Sequence, residues 1–468
     1  MEGAIMQEQK KQEHSLGEAP VTGLMVKFAV PSIVAMLVGA LYNIVDQLFI
    51  GQAVGTLGNA ATNVAFPLST SCLALALLFG IGGASCFNLA MGRGEKKLAP
   101  AYVGNSAAML VLCGLTLCVI TQLFLTPLLR FFGSPDEVLP YAQTYVRITS
   151  LGFPFLLLTT GGGHLIRADG NPRMTMICNL SGAVINTVLD ALFVLGFGWG
   201  MAGAAWATII GQACSAMLVV RYMTRFRTVA LRPEHFRLRL SVLREVCAIG
   251  AASFFNQLAM MVVQITLNNS LTYYGAQSVY GQAIPLACAG IVMKVNQVFF
   301  SIVIGIGQGS QPIESFNYGA RQYNRVREAY RMALVLGGGI SCCAFAFFQL
   351  FPQQLIGLFG SGSEAYYQFG VSYFRVYLGC TCLNFLQPIT STFFTSIGKP
   401  VKGIFLSLTR QILFLLPLVL FLPRFFGIDG ILYAGPAADA LAALVTILMA
   451  ASEFRNMKKL ERGTAALP

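Results

Sequence analysis

GMAGAAWA at 200–207 and GIDGILYA at 427–434 are one phrase written twice, 227 residues apart. The slip recurs along the chain. DGNP at 169–172 returns as IGKP at 397–400 and YVR at 145–147 as YFR at 373–375, both displaced by 228. AFPL at 65–68 returns as AIPL at 283–286, displaced by 218. A near-constant offset over most of both halves marks an internal duplication. Where the duplicated unit is a set of membrane spans, that is the usual architecture of alternating-access transporters.

The repeated unit is membrane-spanning by composition. Of 468 residues 56% are hydrophobic and 11% charged, against about 25% charged in soluble domains. Apolar stretches long enough to cross ~30 Å of hydrocarbon as helices are predicted at 24–50, 58–90, 101–126, 141–166, 174–197, 201–222, 245–273, 279–311, 329–351, 367–396, 401–424 and 430–453. The alternating segments of a barrel are absent. Six spans per half is an even number, so both halves enter the membrane in the same sense. The expected fold is all-α integral membrane, with twelve transmembrane helices in two parallel-repeat six-helix bundles at 21–224 and 243–455. Residues 1–20 read as a disordered cytoplasmic tail rather than a cleaved leader. Residues 225–242 read as a cytoplasmic linker that forms a short helix on the membrane, and 456–468 as a cytoplasmic tail.

A net charge of +12 invites a nucleic-acid reading, which its placement excludes. Lys and Arg crowd into alternate loops and the C-terminal tail, while the intervening loops hold only Arg130 and Arg424. This positive-inside bias puts both termini and the linker in the cytoplasm, with the basic stretch from Arg221 to Arg244 at an anionic lipid surface. The twelve cysteines lie almost wholly inside apolar spans, where the thiol acts as a small hydrophobe, and none has metal-ligand spacing. No phosphate loop of the GxxxxGK[ST] type occurs. Energy is therefore expected from an ion gradient, with no cofactor and no resident metal; the coupling ion is H+ or Na+.

Gradient coupling needs titratable or oxygen-rich groups inside the membrane. Asp46, Asp190 and Asp439 are read as the acids well within apolar helices, each costing roughly 2.5–3.5 kcal/mol to insert. Asp46 lies five residues before Gly51 and Asp190 six before Gly196, so both sit about 7–9 Å below the outer end of their helices. Asn43 and Asn186 share the faces of these acids, and helix six brings Thr208 to the same depth with Gln212 one turn below. Two carboxylates with amide and hydroxyl oxygens bind either a proton or a sodium ion. The second half has Gln264 or Ile265 opposite Asp46 and Leu418 opposite Asp190, so coupling is expected in the first bundle alone. Asn43, Gln212, Gln257 and Asp439 are substrate-cleft candidates, and Asp439 serves equally as half of a structural pair. Pro31 and Lys294 are gating candidates, and His164 is read as a packed, hydrogen-bonded residue. The glycine runs GIGQG (305–309) and GGG (337–339) read as close helix packing.

LYNIVDQLFIG (41–51), IRADGNP (166–172), INTVLD (185–190), GIGQGSQPIESFNYGA (305–320) and GIDGILYAGPAAD (427–439) together resemble the multidrug and toxic compound extrusion (MATE) family over nearly the full length. The resemblance implies two lobes in a bacterial inner membrane and ion-driven export of amphipathic, often cationic, drugs. It is closest to the bacterial subgroup with an ion site in the N-terminal lobe, which assigns the coupling ion to Asp46, Asn186, Asp190 and Thr208 and bending of helix one to Pro31. The subgroup with C-lobe carboxylates on helices seven and ten fits less well, since Asn256 and Gln257 stand on helix seven and helix ten has no acid. Small organic cations and membrane lipids are the partners implied, with the chain acting as a monomer. Two alternatives stay open: a lipid-linked oligosaccharide flippase of the same superfamily, and an intramembrane aspartyl enzyme using Asp46 and Asp190 as a dyad.

Overall fold

The computed structural model describes residues 16–462 apart from 55, 133, 135, 282 and 360–362. Its first lobe holds α1 (Val21–Val54), α2 (Thr56–Arg93), α3 (Ala99–Leu123), α4 (139–168), α5 (Pro172–Gly196) and α6 (Gly200–Met223). The second holds α7 (Leu240–Ala276), α8 (Ala283–Gly319), α9 (Tyr323–Leu350), α10 (364–396), α11 (Pro400–Phe426) and α12 (Ile428–Glu461). These are the twelve spans the hydropathy predicts. Ten are single apolar helices, whereas α4 and α10 are broken. The first is interrupted by a 3₁₀ turn at Ser150–Gly152, the second by a π turn at Tyr373–Tyr377 and a 3₁₀ turn at Thr381–Leu383. The breaks fall at matching places in the two repeats. Large apolar side chains such as Val119, Val188 and Ile447 stand exposed on outer faces, as a lipid-facing belt requires.

The repeated DGNP and IGKP are helix punctuation. Gly170 and Gly398 take left-handed φ of 81° and 73°, which ends α4 and α10 at low steric cost. Pro172 and Pro400 then open α5 and α11, where a missing N–H loses no bond. Asn171 caps α5 by accepting from the Met174 amide at 3.3 Å.

The lobes meet along α1–α8 and α2–α7. A Cβ on Gly305 or Gly309 would stand 2.6 or 2.5 Å from the Cα of Ile33 or Ala29, and one on Gly250 would stand 1.9 Å from the Leu78 carbonyl. The glycine run at 305–309 thus lets two backbones touch, as its sequence suggests. Pro31 lies between the two α1 contacts, buried inside an unbroken helix. These contacts engage the first halves of α1 and α7 and the second halves of α2 and α8, the ends beside the Lys/Arg-rich loops.

Three boundaries differ from expectation. Of the N-terminal tail, residues 1–15 lie outside the described residues. Residues 16–20 dock on the second lobe: Leu16 is buried, and its carbonyl accepts from Asn317 and Arg325 at 3.0 and 2.9 Å. The linker forms only a 3₁₀ turn at Pro233–Phe236. It is strapped to α3 by Asn105, which donates to the His235 and Arg237 carbonyls and accepts from the Arg239 amide. Asp169 fixes the linker's start, accepting from the Arg227 and Thr228 amides and from the Tyr222 and Thr228 hydroxyls. A carboxylate saturated this way orders the chain without a helix. Finally, α12 continues through the start of the C-terminal tail to Glu461; residues 463–468 lie outside the described residues.

Candidate functional site

Helices α1, α4, α5 and α6 bring one polar cluster together inside the first lobe. Asp46, Asn186, Asp190 and Thr208 are all buried, and the Asp46 and Asp190 carboxyls adjoin within hydrogen-bonding reach. Asn186 lies one turn before Asp190 and donates to the Thr208 hydroxyl at 3.3 Å, which in turn donates to the Ala204 carbonyl at 2.9 Å. The four residues that the resemblance assigns to the ion therefore lie in one cluster, whereas the wider set grouped by spacing and depth also held Asn43 and Gln212. Directly after Asp190 the helix widens into a π turn, Ala191–Gly196, a distortion frequent at functional positions.

The cluster is rich in acceptors and poor in donors. One oxygen of Asp46, both of Asp190 and the amide oxygen of Asn186 are buried without a hydrogen-bond partner. No salt bridge to either acid occurs among the described residues. An uncompensated carboxylate inside a protein is expensive, so this arrangement calls for an added positive charge. It can hold one proton between two carboxyls, as like charges this close require, or a hard cation among the orphan oxygens.

Two tyrosines complete the site that the sequence reading missed. The Tyr42 hydroxyl reaches Thr208 and faces both acids, and Tyr145 faces the same pair from α4. Tyr42 precedes Asp46 by one helical turn, and Tyr145 opens the repeated YVR; both signals lay in the sequence. Asn43 stands outside the cluster, exposed and donating to the Gly39 carbonyl of its own helix at 2.9 Å. Gln212 is half-buried against α4, where a Cβ on Gly152 would come 2.8 Å from its Oε1 and its carbonyl accepts from Thr159.

The second lobe resolves its acid differently. Asp439 is buried and bound by the Arg410 guanidinium at 2.6 Å, with the Asn384 amide beside it. Arg410 sits in the π turn Thr409–Leu415 of α11. Of the two roles open to Asp439, the structural pair is the one formed. Lys294 and Gln257 are half-buried on α8 and α7. His164 is buried with its Nδ1 3.2 Å from Arg167, the packed role expected.

The count of three deep acids needs correction. Glu314 lies inside α8, which runs to Gly319 rather than ending near 311, and is 0% exposed; Glu453 on α12 is 0% exposed too, but it is paired with Lys399 and Lys402. Neither carboxyl oxygen of Glu314 has a hydrogen-bond partner among the described residues, and the groups beside them are Ser310 and Ser396.

The family model described as MatE matches residues 31–192 and 252–420, one segment in each lobe. The chain is similar to multidrug export protein MepA of Staphylococcus aureus (strain N315), 23% identical over 434 residues covering 92% of this chain and 94% of that protein. MepA of Staphylococcus haemolyticus (strain JCSC1435) is 22% identical over 449 residues, covering 96% and 97%. Among solved structures, a MATE protein in complex with MaL6 aligns with a TM-score of 0.88 at 22% identity, covering 95% of this chain and 99% of that one. An outward-facing multidrug resistance MATE transporter of the MOP superfamily aligns with a TM-score of 0.87 at 22% identity, covering 95% and 98%. The structural likeness establishes the fold, and the matched segments span most of the sequence: the chain belongs to the MatE family.

Proposed function

We propose that the chain is a secondary active multidrug exporter, an antiporter that moves amphipathic, often cationic, compounds out of a bacterial cell in exchange for an ion. The observation that carries the reading is the adjoining Asp46–Asp190 pair, buried with no cationic side chain ion-paired to it among the described residues. The name of the similar staphylococcal proteins supports the substrate class. The enzyme alternative falls with the family.

Contact between the two carboxyls favours the proton as coupling ion, since one shared proton removes the repulsion. A second reading, sodium, draws on the orphan Asn186 amide oxygen, which a proton between the carboxyls would leave unused. The Lys/Arg bias of the loops supports a closed seam and both termini on the cytoplasmic side of the inner membrane, a reading in which this conformation is outward-facing. Ion binding then favours one facing state only through tighter binding to it, with α1 moving about Pro31. The chain acts as a monomer. The test is drug efflux from proteoliposomes under separately imposed proton and sodium gradients. Transport driven by the proton gradient alone supports the shared proton, transport driven by sodium alone replaces it, and transport driven by neither rejects ion antiport.

A further inference from the structure

We propose that the groove between α9 and α12, at the Lys/Arg-rich face, is a binding site for one anionic phospholipid held by its phosphodiester headgroup. A cavity of about 710 Å³ opens there, lined by Arg327, Glu328, Arg331, Met332, Val335 and Lys458 among others. Its size is that of small-ligand sites. It lies on the flank of the second lobe, away from the α1–α8 seam and from the Asp46–Asp190 cluster.

The walls are chemically divided along the membrane normal. Arg331 and Lys458 are exposed, about 12 Å along α9 from its start and about 4.5 Å from the end of α12. Arg331 is fixed over the Phe454 ring, 5.7 Å from its centroid, so the cation is held in place rather than free to sweep solvent. At the floor, Arg327 is buried and ion-paired with Glu461 at 2.8 Å. Its other terminal nitrogen, Nη1, has no partner. With that pair neutral, Arg331 and Lys458 against Glu328 leave one net positive charge, which matches the single negative charge of a phosphodiester. Deeper in the membrane the groove turns apolar. Val335 on α9 and Ile447 on α12 are exposed and lie about 12 and 16 Å along their helices from Arg327 and Lys458, in the path of acyl chains. Cations at the interface with apolar walls beneath are what an anionic lipid recognises. A soluble anion would use only the upper half.

The experiment uses the full-length protein in neutral detergent, titrated with phosphatidylglycerol or phosphatidylcholine and read by native mass spectrometry. One phosphatidylglycerol should remain bound while phosphatidylcholine is lost. The double variant Arg331→Ala, Lys458→Ala should weaken that binding roughly tenfold or more, and Glu328→Gln should tighten it. The double variant Lys96→Ala, Lys97→Ala, on the same face but in the other lobe, should leave it unchanged. Equal retention of both lipids, equal loss in both double variants, or displacement of phosphatidylglycerol by inorganic phosphate at matched concentration would each overturn the assignment.

Discussion

The two lobes carry the same scaffold and opposite solutions to a buried acid. The offset that aligns GMAGAAWA with GIDGILYA carries Gln212 onto Asp439, while the offset of 228 carries Asp190 onto Leu418. Both polar clusters sit beside a π turn, at Ala191–Gly196 and Thr409–Leu415. In the second lobe Arg410 neutralises Asp439 permanently. In the first, Asp46 and Asp190 face each other and four acceptor oxygens go unpaired. A pair that is neutral on its own has no need of an ion, whereas two adjoining acids are stable only with one. The difference between the structural pair and the proposed ion site therefore lies in which charge the neighbour carries, not in depth or burial.

That contrast can be broken most sharply at the acids. Asp46→Asn and Asp190→Asn should each fold and reach the membrane, yet reduce gradient-driven efflux to the background of empty liposomes. Either variant exporting at the wild-type rate removes that residue from the coupling site. The converse holds in the second lobe, where the expected effect is on stability. Arg410→Ala strands a buried carboxylate and should cost about 3–5 kcal/mol, while Arg410→Met with Asp439→Leu should recover most of it. Thermal unfolding in detergent reads the difference, and a single variant as stable as the double would show that the pair is not buried in solution.

Smaller effects sharpen the picture. Thr208→Ala removes the acceptor of the Asn186 amide and a neighbour of Tyr42, a loss of about 1 kcal/mol or roughly fivefold in apparent ion affinity. Ion-titrated transport with two unlike drugs should show the same shift for both. A shift confined to one drug would place Thr208 in substrate binding instead. The smallest change is expected at Glu314. Glu314→Gln keeps the shape of a side chain that already lacks hydrogen-bond partners beside Ser310 and Ser396, so stability should move by less than about 1 kcal/mol and efflux should persist. Loss of efflux with an intact fold would make Glu314 a second coupling group.

Much of this was legible in the sequence. Hydropathy located all twelve spans because lipid demands uninterrupted apolar length. The repeat located the helix punctuation because DGNP and IGKP encode turn chemistry locally. Depth counting brought Asp46, Asn186, Asp190 and Thr208 together with Asn43 and Gln212, and the resemblance singled out the first four. The counting worked because α1, α5 and α6 are regular up to the π turn after Asp190. What failed were features decided across space or by one rotamer. Asn43 and Tyr42 sit three and four residues before Asp46, equally near its face, yet the asparagine bonds its own helix and the tyrosine enters the site. Arg410 could not be paired with Asp439 before the packing of α11 on α12 was known. Glu314 escaped because a hydropathy edge near 311 stopped about two turns short of where α8 ends.

The central claim is that ion coupling resides in the first lobe alone. Ion release on drug binding to the purified transporter, followed with a pH dye for protons and a sodium-selective electrode for sodium, tests it directly. Addition of a cationic drug to the wild type should release one of the two ions. Asp190→Asn should abolish that release, and the double variant Arg410→Met, Asp439→Leu should retain it. Release that survives Asp190→Asn but disappears with the second-lobe pair would contradict the account.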